Sequence, residues 1–117
     1  MSIHEDLMEA NIRILEPTGI LDGTQAEAFR AEVDEALEAG ADELLIDLKD
    51  ITFVDSSGLG ILVVVLKKVR ACKKKLYVCS INDQVKMLFE LTSMDRVFEV
   101  LPDREAFTEK VANPSKA

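Results

Sequence analysis

The chain has 117 residues, 48% of them hydrophobic and 31% charged, with a net charge of −8; that is enough for one core without staples and too little for two. This hydrophobic content excludes the low-hydrophobicity signature of intrinsic disorder. The acidic balance excludes a continuous nucleic-acid surface, because the overall field repels phosphates, and favours protein partners with basic patches.

There is no run of about twenty apolar residues, and "MSIHEDLMEA" lacks the charged-then-apolar layout of a signal peptide. A cytoplasmic location with no membrane contact is the expectation. Cys72 and Cys79 read as buried thiols of a reducing compartment, and they lack the CxxC or Cys/His spacing of a metal site.

In chain order, "SIHEDLM" is a candidate short edge strand, and "NIRILEPTGIL" carries β-branched and aliphatic residues up to a Pro-Thr-Gly turn, which predicts a strand. Thr24 and Glu27 stand at capping-box spacing, with Thr24 as the expected N-cap. Ala26, Phe29, Val33, Ala36 and Leu37 then form one helical stripe that Gly40 ends. "ELLIDL" has too little alternation for a half-exposed strand and reads as a central strand covered on both faces. The stretch "ILVVVL" is ambiguous, because its valines favour a strand while its length to Ala71 suits a helix. "KLYVCSI" predicts a strand, "DQVKMLFEL" an amphipathic helix, and "RVFEVL" a last short strand. Asp103, after Pro102, opens the helix "DREAFTEKVA", and "NPSKA" is read as a flexible tail over 113–117. Residues 1–112 thus read as one α/β domain with helices packed on a sheet.

The chemistry concentrates in "VDSSGLG", Val54 to Gly60. If Ile61 onward is helical, this is the N-terminal junction, where unpaired backbone N–H groups and the positive end of the helix dipole collect. One reading is structural: Asp55 or Ser56 caps the helix, and Gly58 and Gly60 serve a tight turn or close packing. Another is modification, in which a phosphate on a hydroxyl meets a helix N-terminus but is repelled by Asp55. A nucleophilic serine lacks the Gly-x-Ser-x-Gly elbow, and the only histidine is His4, near the N-terminus. The glycines are not followed by the Gly-Lys-Ser/Thr of a phosphate-cradling loop. No catalytic residue, cofactor or metal is therefore expected.

The string "LIDLKDITFVDSSGLGIL" resembles the central signature of anti-sigma factor antagonists, the bacterial members of the STAS domain family. "PTGILDGTQAEAFRAEV" resembles the family's Gly-x-Leu/Ile-Asp segment, and "VKMLFELTSMDRVFEV" its Leu-Phe-x-x-Thr/Ser-Gly/Met region. The likeness runs from Ile12 to Phe107. It implies a mixed sheet of four or five strands with helices mainly on one side, and a helix for "SGLGILVVVLKKVRA". It also implies partner switching. The unphosphorylated protein binds an anti-sigma factor that is also a GHKL-type serine kinase, which frees a sigma factor; phosphorylation ends the complex, and a PP2C-type phosphatase restores it.

The phosphoacceptor carries over to Ser56, and Asp22 and Asp55 match acids near it. Ser57 matches a neighbouring Ser/Thr position, and Gly58 and Leu59 complete the implied partner-binding set. Two departures stand out. Ile20 occupies a position that is acidic in many members, and the Gly-Gly turn of many members is here "CKKK". The latter belongs to a cluster of Lys67, Lys68, Arg70, Lys73, Lys74 and Lys75, six of the chain's 14 basic residues. The cluster reads as a solvated helix end favoured by the negative dipole terminus, with a docking patch for an acidic partner as the alternative. Two alternatives to the sigma-factor switch are a STAS phosphoswitch acting on another signalling protein, such as a phosphatase or cyclase, and a small anion-binding domain or Ser-based enzyme at the helix terminus.

Overall fold

The computed structural model describes residues 11–112, in which strands β1 (Ile12–Leu15) and β2 (Gly19–Leu21) lead through a 3-10 turn at Gly23–Gln25 into helix α1 (Ala26–Glu38). Strands β3 (Glu43–Asp47) and β4 (Ile51–Val54) lead into α2 (Ser56–Ala71), and β5 (Lys75–Cys79) into α3 (Asp83–Leu91). A second 3-10 turn at Met94–Arg96, β6 (Glu99–Leu101) and α4 (Arg104–Ala112) complete the order. The candidate edge strand in "SIHEDLM" and the tail "NPSKA" lie outside the described residues.

Four strands form one sheet in the order β1-β3-β5-β6, and β2 pairs with β4 in a separate ladder. The α/β architecture is the expected one, but where a mixed sheet was expected every described pairing is parallel. The reason is in the connections: sheet neighbours are joined through a crossover helix, which sets them parallel. The same two chain segments pair twice. Ile12–Leu15 runs beside Glu43–Ile46, and after a bend in each segment Gly19–Leu21 runs beside Ile51–Val54.

Strand β3 is the centre. Leu44 and Ile46 enter the core formed with α1, α2 and α3, while Leu45 enters a second cluster with Tyr77, Cys79 and Phe107 under α4. This two-sided burial explains the near-continuous apolar run in "ELLIDL". Tyr77 and Phe107 meet edge to face at 5.3 Å, and Phe89 and Phe98 stack at the same separation on the other side.

The ambiguity of "ILVVVL" resolves as helix. Gly58, Ile61, Leu62, Val65, Leu66 and Val69 are buried along one stripe of α2, whereas Val64 is exposed. Burying an aliphatic side chain contributes about 1.5–3 kcal/mol, against well under 1 kcal/mol lost by placing a valine in a helix. Packing therefore overrides propensity.

The ends of α1 divide the expectations. Gly40, at φ +92°, closes a C-terminal motif in which its N–H donates to Leu37 O and that of Ala41 to Ala36 O. Thr24 is not the N-cap: its own N–H and hydroxyl both donate to Asp22, and α1 begins after Gln25 with no side-chain cap. The carboxylate, a stronger acceptor, has taken the capping role one turn early. Asp103 does open α4, accepting from the Ala106 N–H at 2.9 Å. Cys79 is buried as expected, but Cys72 is exposed, because it follows the last turn of α2 and faces away from the core.

One charged group belongs to the interior. Asp47, 1% exposed at the end of β3, accepts from Lys49 N–H at 3.0 Å and from Arg104 of α4 at 3.0 and 3.2 Å. Glu16 pairs with both Lys49 and Arg104, so the network ties the loop after β1 and the start of α4 to the sheet. Burial acts to raise the Asp47 pKa, but the Lys49 N–H and the Arg104 guanidinium outweigh it and hold the carboxyl below its ordinary value.

Two predictions follow from this packing. Leu45→Ala should lower stability by about 2–5 kcal/mol in chemical denaturation; a change near zero would show that the second core contributes nothing. Arg104→Gln should cost roughly 1–3 kcal/mol at neutral pH by removing a partner from buried Asp47. A carboxyl with a depressed folded-state pKa contributes stability above its unfolded-state pKa and loses it as pH falls through the folded one. The difference between wild type and Arg104→Gln should therefore shrink below about pH 4, measured by denaturation across a pH series.

Candidate functional site

The β4–α2 junction is built by close approach. Gly58 lies so near the end of β2 that a methyl group on it would stand 2.1 Å from Leu21 O, closer than any real contact. The same carbonyl accepts from Asp55 N–H at 3.3 Å, so the first turn of α2 sits directly on the β2 backbone. Asp55 has extended backbone angles and its carboxylate accepts from Gly58 N–H at 2.8 Å, which makes it the N-cap.

This assignment decides what the serines do. With Asp55 as cap, Ser56 and Ser57 occupy the first two helical positions, both exposed. Neither hydroxyl makes a hydrogen bond to any described residue. Capping therefore leaves both serine hydroxyls unused at this terminus.

Asp22 comes from the other side. It caps the 3-10 turn, accepting from Thr24 hydroxyl at 2.6 Å and Thr24 N–H at 3.0 Å. These two donors, the hydroxyl first, lower its pKa, which keeps it charged at neutral pH. The adjacent Gly23 faces Ser57, since a methyl group there would meet Ser57 Cβ at 3.7 Å. The structure thus brings the Asp22–Gly23 loop against the first turn of α2.

A third element braces the junction. The side-chain amide of Gln84 in α3 donates to Val54 O and accepts from Val54 N–H, both at 2.9 Å, pairing with the free edge of β4 as a neighbouring strand would. Asn82 caps α3 through Val85 N–H and donates to Ile51 O and Thr52 O. Next to the junction, the β2–β4 ladder turns two apolar residues outward. Ile20 and Phe53 are register partners, 50% and 45% exposed, while the next pair, Leu21 and Val54, is buried.

The family model of the STAS domain matches residues 8–107. Over 73 residues the chain is 30% identical to the anti-sigma-B factor antagonist of Staphylococcus aureus, covering 59% of this chain and 68% of that one. The chain belongs to the anti-sigma factor antagonists of the STAS domain family. It is also 27% identical over 88 residues to Bordetella bronchiseptica BtrV, assigned as an anti-sigma factor antagonist, covering 75% and 76% of the two chains. A crystal structure of a Thermotoga maritima protein with the same assignment superposes with a TM-score of 0.77 at 27% identity, covering 85% and 86%.

Within this STAS domain the six residues expected to meet a partner fall into two groups. Asp22, Asp55, Ser56 and Ser57 reach the surface, whereas Gly58 and Leu59 are buried, their contacts spent on Leu21 and the core. Those two lie beneath the junction, and the exposed apolar side chains beside it are Ile20 and Phe53. Asn82 and Gln84 were missed by sequence reasoning. An Asn directly before a helical stripe is a capping signal, but nothing in the sequence marks Gln84 as a surrogate strand. Among the described residues, no group of three or more His, Cys, Asp or Glu could hold a metal ion.

The two helical glycines of α2 make opposite predictions. Gly58→Ala must displace backbone and should cost about 3 kcal/mol or more. Gly60→Ala points into open space and should stabilise by roughly 0.5–1 kcal/mol. Denaturant melts of both variants test this, and equal effects would contradict the close approach.

Proposed function

We propose that this STAS domain is a phosphorylation-controlled partner switch without catalytic activity of its own. Unmodified, it binds an anti-sigma factor that is also a GHKL-type serine kinase and so releases a sigma factor in the cytoplasm. Phosphorylation of Ser56 ends the binding, and a PP2C-type phosphatase restores it. The observation that carries this reading is the Ser56 hydroxyl, exposed and without a hydrogen bond to any described residue because Asp55 performs the capping.

The surface around Ser56 suits such a switch. Asp22 and Asp55 make it acidic, and Ile20 and Phe53 supply apolar area for a partner to cover. A phosphate adds about −1.5 to −2 charge. Near the helix N-terminus this is tolerated by the fold, but a partner complementary to Asp22, Asp55 and two apolar side chains loses its fit. Catalysis by the chain itself has little to draw on: Cys79 is buried, with burial first among the causes raising its pKa, and no histidine lies among the described residues.

Incubation with the GHKL-type serine kinases of its genome and ATP, with mass-spectrometric mapping, should place one phosphate on Ser56 and none on Ser56→Ala, while Ser57→Ala is still modified. Ser56→Asp should weaken kinase binding by about tenfold or more yet change stability by less than about 1 kcal/mol. Phe53→Ser should weaken binding with an unchanged melt. If no kinase modifies Ser56 and Ser56→Asp binds every partner as before, the switch reading fails.

A further inference from the structure

The basic cluster of the sequence does not fold into one solvated helix end. Lys68 pairs with Asp34 of α1, and Lys67 and Lys73 do not line the cavity on which the others converge. Arg70, Lys74 and Lys75, however, are joined by Arg96 from the second 3-10 turn and Lys110 from α4. Together they line a cavity of about 420 Å³ over the start of β5 and β6, whose only acidic lining residue among the described ones is Glu99.

Attraction to a helix C-terminus accounts for cations in the last turn of α2. It gives no reason for residues of two other elements to converge on the same hollow. The internal acids also fall short. Lys74 is matched by Asp42 at 2.6 Å and Lys110 by Glu99 at 3.1 Å. Arg70 donates to Val97 O at 2.9 Å, which positions its guanidinium without neutralising it. Lys75 and Arg96 have no side-chain partner among the described residues. Three uncompensated cations thus face one small concavity in a chain of net charge −8.

The helix end beside the cavity is closed by Lys73. It stands at φ +62° and closes α2 with Lys73 N–H on Arg70 O and Lys74 N–H on Val69 O. Glycine is the ordinary residue for that position. This turn ends the helix at whose C-terminal end Arg70 and Lys74 stand.

We propose that this cavity binds a small phosphorylated anion carrying two or more charges. Guanidinium forks match phosphate oxygens in pairs, and the cavity is of the size of ordinary small-ligand sites. Arg70 is fourteen residues from Ser56 along α2, roughly 21 Å at 1.5 Å per residue, so the anion would occupy the opposite end of the helix from the switch surface. The proposal is independent of what Ser56 does.

The test is titration of the full chain with pyrophosphate and with ATP at about 150 mM salt, where diffuse attraction is screened beyond about 8 Å. Heat and backbone amide shifts are the readouts. Saturable binding should appear with at least one probe, with shifts centred on Arg70, Lys75, Arg96 and Lys110. The pair Lys75→Gln/Arg96→Gln, which breaks no side-chain hydrogen bond or ion pair among the described residues, should weaken it about tenfold or more. The pair Arg30→Gln/Lys67→Gln removes the same charge outside the cavity and should change it less than about threefold. Equal binding of the two probes identifies the phosphate groups as what is recognised, and tighter ATP binding identifies a nucleotide. No saturable binding of either probe, or equal losses in the two double variants, overturns the proposal.

Discussion

Everything at the β4–α2 junction of this STAS domain depends on one contact, the meeting of Gly58 with the Leu21 carbonyl. A helix can begin on top of a strand's backbone only where no Cβ intervenes, and Gly58 supplies that position. Once α2 is seated there, Asp55 is placed to cap it and Leu21 O accepts the Asp55 N–H. Ser56 and Ser57 are then left facing outward. Gln84 closes the remaining edge of β4, so the junction is held from the strand, from the helix and from α3. The exposure of Ser56 is thus a consequence of packing beneath it.

Much of this was legible because the elements concerned obey one rule at a time. β3 is buried on both faces and reads as an apolar run, and α1 has a clear stripe and a glycine end. α2 obeys two rules that conflict, and its valines could not be placed by periodicity; the family resemblance placed them, and the burial of Ile61, Leu62, Val65 and Val69 gives the reason. The β2–β4 ladder stayed invisible as a ladder because each strand has only three or four residues, and half of its side chains face outward. Exposed Phe53 could not be recognised without it. Thr24 failed as a cap because Asp22, two residues earlier, competes for the same backbone and wins as the charged acceptor.

The charges are sorted along α2 in the sense its dipole favours, with Asp55 at the start and Lys68 and Arg70 in the last turn. The two ends differ in how complete they are. The carboxylate of Asp55 is used by the fold, and so is that of Asp22. At the far end Lys75 and Arg96 have no side-chain partner among the described residues, although acids abound elsewhere on the chain. An acidic protein that leaves cations unpaired in a hollow is withholding from them the partners it has in excess.

On the partner-switch reading, the physics of the modification is one of surface and not of shape. The junction carrying Ser56 is braced by hydrogen bonds that a phosphate on an outward hydroxyl does not touch. What changes is the cost of covering the surface. Ile20 and Phe53 favour a partner that excludes water from the β2–β4 face, and a dianion beside that face must be desolvated with it or left unpaired. A charge that solvent tolerates in the free protein becomes expensive only in the complex. The switch can therefore act on binding while leaving the fold and its stability nearly unchanged.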